Sequence, residues 1–106
     1  MKKFLLGATA LLFMSGAAMA AAPVELTLKD HKFSPAEIHV KARESFVISF
    51  TNNDPQAEEF DSPALKVEKV VAGKGGHGNI RVRALAPGRY PFVGEFFGAK
   101  GVVIAE

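Results

Sequence analysis

The stretch Leu85-Ala86-Pro87-Gly88-Arg89-Tyr90-Pro91-Phe92-Val93-Gly94 turns the chain sharply into a buried strand. Pro87 presets one backbone angle of the turn, Gly88 admits a positive φ, and Tyr90 opens the strand. In sandwich folds a tyrosine so placed caps the corner, its hydroxyl bonding back to the backbone just upstream. Tyr90 is therefore expected to be a buried corner residue.

Working outward, short apolar alternations recur between turn signals. Val24, Leu26 and Leu28 alternate with Glu25, Thr27 and Lys29, the period of a half-buried strand. Phe33-Ser34-Pro35 breaks it, and Ile38 and Val40 then alternate with Glu37 and His39. Phe46, Ile48 and Phe50 face one way from a third strand, which the turn cluster Asn52-Asn53-Asp54-Pro55 ends. Gln56 to Leu65 reads as acidic and irregular, Val67 to Val71 as a short strand, and Gly73 to Gly78 as a flexible loop around His77. Ile80 to Leu85, Tyr90 to Phe96 and Gly101 to Ala105 complete the set. About seven strands at this spacing predict an all-β Greek-key sandwich. An immunoglobulin-type adhesion domain is a distant alternative, since there is no tryptophan and no cysteine pair.

The first twenty residues stand apart. Lys2 and Lys3 precede the apolar run Phe4 to Phe13, and Ala18-Met19-Ala20 has the small residues of a cleavage site. This predicts a signal peptide over 1–20, cleaved after Ala20, and one exported domain over 21–106 with no membrane insertion of the mature chain. Two of the thirteen basic residues, Lys2 and Lys3, lie in that segment, so basic and acidic residues balance beyond it. A balanced chain lacks the clustered positive surface that nucleic-acid binding needs. Without cysteine, stability must come from packing, which phenylalanine and many branched aliphatics can supply.

Several motifs, in order, resemble the cupredoxin family, and within it the small exported domains of bacterial iron-uptake systems. They are F-S-P-A-E-I-H-V (Phe33 to Val40), T-N-N-D (Thr51 to Asp54) and E-E-F-D-S-P (Glu58 to Pro63), followed by E-K-V (Glu68 to Val70). L-x-P-G-x-Y-P-F (Leu85 to Phe92), G-E-F (Gly94 to Phe96) and G-V-V-I (Gly101 to Ile104) close the series. The resemblance implies a cupredoxin-like sandwich and a metal end formed by the first acidic loop and the closing loop. In blue-copper members that end carries two histidines, a cysteine and a methionine. By position these ligands correspond here to Glu58, Gly94 and Phe97, and no methionine follows. All three methionines fall before Ala20, so a type 1 copper site is not expected.

What the resemblance leaves is carboxylate. Glu58, Glu59 and Glu95 are the expected metal ligands, with Asp61, Glu68 and His77 as further candidates. Carboxylates are hard donors that suit iron or manganese and also bind Cu(II). The plainer reading of each is a solvated rim; His39 reads as a surface residue, and His31, after Asp30 at a strand end, as support for the turn. No nucleophile is paired with a base, so any redox activity would depend on a bound metal. The expected function is periplasmic binding or relay of a copper or iron ion. The implied partner is a membrane iron permease or another component of the same uptake system. The alternative is a metal-free docking module in which Phe96 and Phe97 are the contact residues.

Overall fold

A computed structural model of the chain describes residues 22–106. The expected signal peptide over 1–20 and its cleavage point lie outside the described residues. Nine strands follow in order: β1 Val24–Lys29, β2 Lys32–Ser34, β3 Glu37–Val40, β4 Phe46–Asn52 and β5 Glu58–Ser62. They continue as β6 Val67–Val71, β7 Gly76–Val82, β8 Gly88–Gly94 and β9 Lys100–Ala105. They form a five-stranded sheet, β3-β9-β8-β5-β6, and a four-stranded sheet, β2-β1-β4-β7. Each sheet is mixed, with one parallel pair: β1 runs with β4 and β3 with β9. This is the all-β sandwich expected, with nine strands among the described residues instead of about seven.

The two faces meet over a core to which every strand contributes except β6's outer residues. Leu26, Leu28, Ile48, Phe50, Ile80 and Val82 come from one sheet, and Ile38, Phe60, Phe92 and Val103 from the other. Phe60 and Phe92 stack at 4.8 Å, and Phe33 meets Phe92 edge-on at 5.0 Å. Such aromatic pairs add directional contact to the burial of large apolar surfaces. Tyr90 donates its hydroxyl to the Ala86 carbonyl at 2.7 Å, the corner bond expected, although its side chain is half-buried and not fully inside.

Two readings of local structure change. The acidic stretch Gln56 to Leu65 is not irregular but contains β5, whose residues alternate inward and outward with Glu58, Phe60 and Ser62 pointing in. The Gly73 to Gly78 segment is a loop only as far as Gly75, because β7 begins at Gly76 and holds His77 in register opposite Thr51.

Candidate functional site: the closing-loop end

One end of the sandwich is built from three buried polar side chains that bind backbone. Asn52 donates its amide to the carbonyls of Gln56 and Val71 and accepts from the Asp54 N–H, fixing the turn after β4. Asp54 in turn accepts the N–H groups of Asp30 at 2.6 Å and His31 at 2.9 Å. Those two residues form the β1–β2 turn with φ of 53° and 60°. A two-residue hairpin turn of this hand usually relies on Asn-Gly, and here the Asp54 carboxylate offsets the strain of two side-chain-bearing residues.

Glu58 is the third. It is fully buried at the start of β5, and its carboxylate reaches under the closing loop. Oε1 accepts the N–H groups of Glu59 at 2.8 Å and Phe96 at 2.7 Å, and Oε2 accepts that of Phe97 at 3.1 Å. A buried carboxylate is tolerated only when its charge is met by such donors. The loop closes on itself as well: the Gly98 N–H donates to the Gly94 carbonyl and the Gly94 N–H to Ala99, each at 2.8 Å. Gly98 adopts φ of 85°, a left-handed conformation that favours glycine. Gly94 leaves the carboxylate its room, since a Cβ there would stand 2.6 Å from Glu58 Oε2.

The loop so held presents Phe96 and Phe97 to solvent, 52% and 43% exposed. The His31 ring lies flat on Phe97, with centroids 4.6 Å apart. Beside them runs an acidic rim. Glu59 and Asp61 point outward from β5, Asp61 faces Glu68 directly across the β5–β6 ladder, and the Glu95 N–H donates to the Glu59 carbonyl. Asp61 and Glu68 also line a shallow depression of about 520 Å³ with Lys66 and Pro63. Partial removal from water pushes the Glu59 carboxyl above its usual range, and the negative charges of Glu68, Asp61, Glu95 and Glu58 push the same way. The ion pairs among the described residues run through His31 and His39, and none of their lysines or arginines lies within 4.0 Å of a carboxylate of this rim.

The predicted ligands are therefore divided. Glu58 and Glu59 are neighbours on a strand and point to opposite faces, as the two-residue period requires. Glu59, Asp61, Glu68 and Glu95 gather on the outside. His77 lies on the outer face of the other sheet, where its Nε2 is 2.7 Å from Ser49 Oγ. Among the described residues no three His, Cys, Asp or Glu side chains converge in a metal-holding group. The Ser49–His77 pair and the His31–Phe97 stack join residues distant in sequence, and no local motif announces either.

The matched region supports the expected kinship. Residues 3–105 match the cupredoxin-like domain family. The chain belongs to that family. An uncharacterized protein of Rickettsia prowazekii is 36% identical over 85 residues, covering 78% of this chain and 67% of the relative. Among solved structures, the metal-binding domain of the Cu(I)-exporting P-type ATPase of Streptococcus pneumoniae D39, determined with Cu(I), superposes with a TM-score of 0.71. Its identity is 16%, over 79% of this chain and 84% of the other. Auracyanin of Roseiflexus castenholzii gives 0.67 at 17% identity, over 83% of this chain and 99% of the other. These likenesses are of fold.

This cupredoxin-like domain does not fit the blue-copper ligand set. It has no thiol, Phe97 cannot ligate, and both oxygens of Glu58 already accept backbone N–H groups. No helix among the described residues is long and apolar enough to cross a membrane.

Proposed function

We propose that this cupredoxin-like domain acts in the periplasm as a docking module, with the closing-loop residues Phe96 and Phe97 at the centre of the contact. The observation that carries the reading is their exposure on a loop fastened from beneath by Glu58. A large aromatic held at the surface in a fixed conformation loses little entropy on binding, which is the character of an interface anchor. Val70 on β6, 57% exposed, lies across the ladder from Glu59 of the acidic rim. The uncompensated carboxylates of Glu59, Asp61, Glu68 and Glu95 favour a partner whose apolar seat is flanked by lysine or arginine. By the resemblance to iron-uptake domains, that partner is a membrane iron permease or another periplasmic component of the same system.

A photo-crosslinking residue in place of Phe96, compared with one in place of His77 on the opposite sheet, tests this in the exporting cell. Adducts with an uptake component at position 96 alone support the reading. Equal labelling at both positions contradicts it.

A second reading is relay of a copper or iron ion over the acidic rim, favoured by the raised Glu59 carboxyl and its three outward carboxylate neighbours. Titration with Cu(II), Fe(II), Fe(III) and Mn(II) tests it. Binding weakened by Glu59→Gln and Glu95→Gln supports this reading, and binding unchanged by both removes it.

A further inference from the structure

We infer that the backbone N–H groups of Glu59, Phe96 and Phe97 form a carboxylate-binding seat, and that Glu58 fills it in the role a metal ion has in the copper-holding fold, tying β5 to the closing loop. Three lines of geometry meet here. The donors are the neighbouring Glu59 and two closing-loop residues 38 and 39 positions beyond Glu58, and they converge on one carboxylate at 2.7 to 3.1 Å. Its carbon skeleton is fully buried, so the charge has no water to fall back on. The space it takes is the space a side chain at position 94 would need, with Cβ-to-carboxylate distances of 2.6 and 2.8 Å.

The last point separates this chain from a sandwich that has merely lost a ligand. By the family resemblance, position 94 is where the thiolate side chain stands. A residue with a Cβ there and the Glu58 carboxylate cannot occupy this end together without one moving. The loop is thus held by an anion inside and not by a cation, and the donors it offers are N–H groups, which repel metal ions and attract carboxylates.

A seat of this kind accepts a carboxylate that is not covalently attached. Glu58→Ala removes a group the size of acetate and leaves three donors facing a buried void. The variant should melt roughly 10 °C or more below the parent protein. Sodium acetate should restore a substantial part of that loss, whereas acetamide and sodium chloride at matched concentration should not. Acetamide has the shape without the charge, and chloride the charge without the shape. Recovery equal in all three would overturn the inference, as would a Glu58→Ala melting point unchanged from the parent.

Should Glu58→Ala fail to fold, Glu58→Gln keeps the volume. Hydrogen exchange at the Phe96 and Phe97 amides should then accelerate by about tenfold or more while the Val103 amide in the core stays slow. Unchanged exchange at 96 and 97 would overturn the inference. These readouts are independent of docking, so they can fail while the Phe96 contact stands, and the reverse.

Discussion

The Glu58 carboxylate lies where a side chain on Gly94 would have to stand: a Cβ built there comes within 2.6 Å of Oε2 and 2.8 Å of Cδ. The two positions exclude each other, and the closing loop is held in the form that this exclusion permits.

Gly94→Ala should therefore destabilise the domain by about 1–3 kcal/mol, the range for forcing extra volume into a packed site. The same substitution in a Glu58→Ala background should cost far less, because the carboxylate it strikes is gone. A double-mutant cycle by urea denaturation should yield a coupling above about 1 kcal/mol. Additive effects would mean that the loop relaxes independently of Glu58.

Burial of the aromatic cluster makes a second prediction. Phe92 touches both Phe33 and Phe60 and is 1% exposed. Phe92→Ala should cost about 3–5 kcal/mol. By contrast, the Phe96→Ser and Phe97→Ser double variant should melt close to the parent and lose only partner contact. Circular dichroism melts of the two variants separate core from contact surface.

The Glu59 carboxyl is raised, so its sign runs opposite to that of a salt-bridged acid. Protonation is easier in the folded state than in the unfolded one, and the associated stability is present below the ordinary carboxylate pKa. It is lost as pH rises through the folded value. Glu59→Gln should remove this dependence and raise the melting temperature at neutral pH by a small amount. Melting the two proteins across pH 4 to 7 measures it. A lower melting temperature for Glu59→Gln at pH 7 would contradict the repulsion.

His39 gives the second pH signature. Its two ring nitrogens lie 2.9 Å from Glu37 and 3.0 Å from Glu106, and these hydrogen bonds hold the imidazolium above its usual range. The stability it contributes is complete below the unfolded value of 6.5 and fades as pH rises through the folded one. His39→Asn should flatten this alkaline slope, by a modest amount because the site is exposed.

Much of the fold was legible because its strands obey period-two alternation with branched and aromatic residues inside, as in Phe46, Ile48 and Phe50. The Pro87–Tyr90 corner was legible too, since the turn and the tyrosine hydroxyl are local. β5 escaped because two of its three inward residues are Glu58 and Ser62, and polar residues inside erase the alternation. Their burial is balanced by backbone far away in sequence: Phe96 and Phe97 for Glu58, and the Pro91 carbonyl for Ser62. The glycines flanking His77 read as a loop in the sequence, although it lies in β7. Gly78 is instead a packing glycine, where a Cβ would meet the Lys69 side chain at 2.8 Å. The candidate carboxylates were found, but their division between the inside and the outside of the sheet was not. Adjacent residues on a strand face opposite ways, and that rule separates Glu58 from Glu59 once β5 is recognised as a strand.

The fastening of the closing loop by Glu58 and not by a metal is open to direct observation. Scalar couplings across hydrogen bonds can be read by NMR from the Phe96 and Phe97 backbone nitrogens to the Glu58 Cδ, with and without Cu(II). The predicted result is both couplings in the metal-free protein, persisting after Cu(II) is added. Absence of the couplings, or their loss when Cu(II) is added, would contradict it.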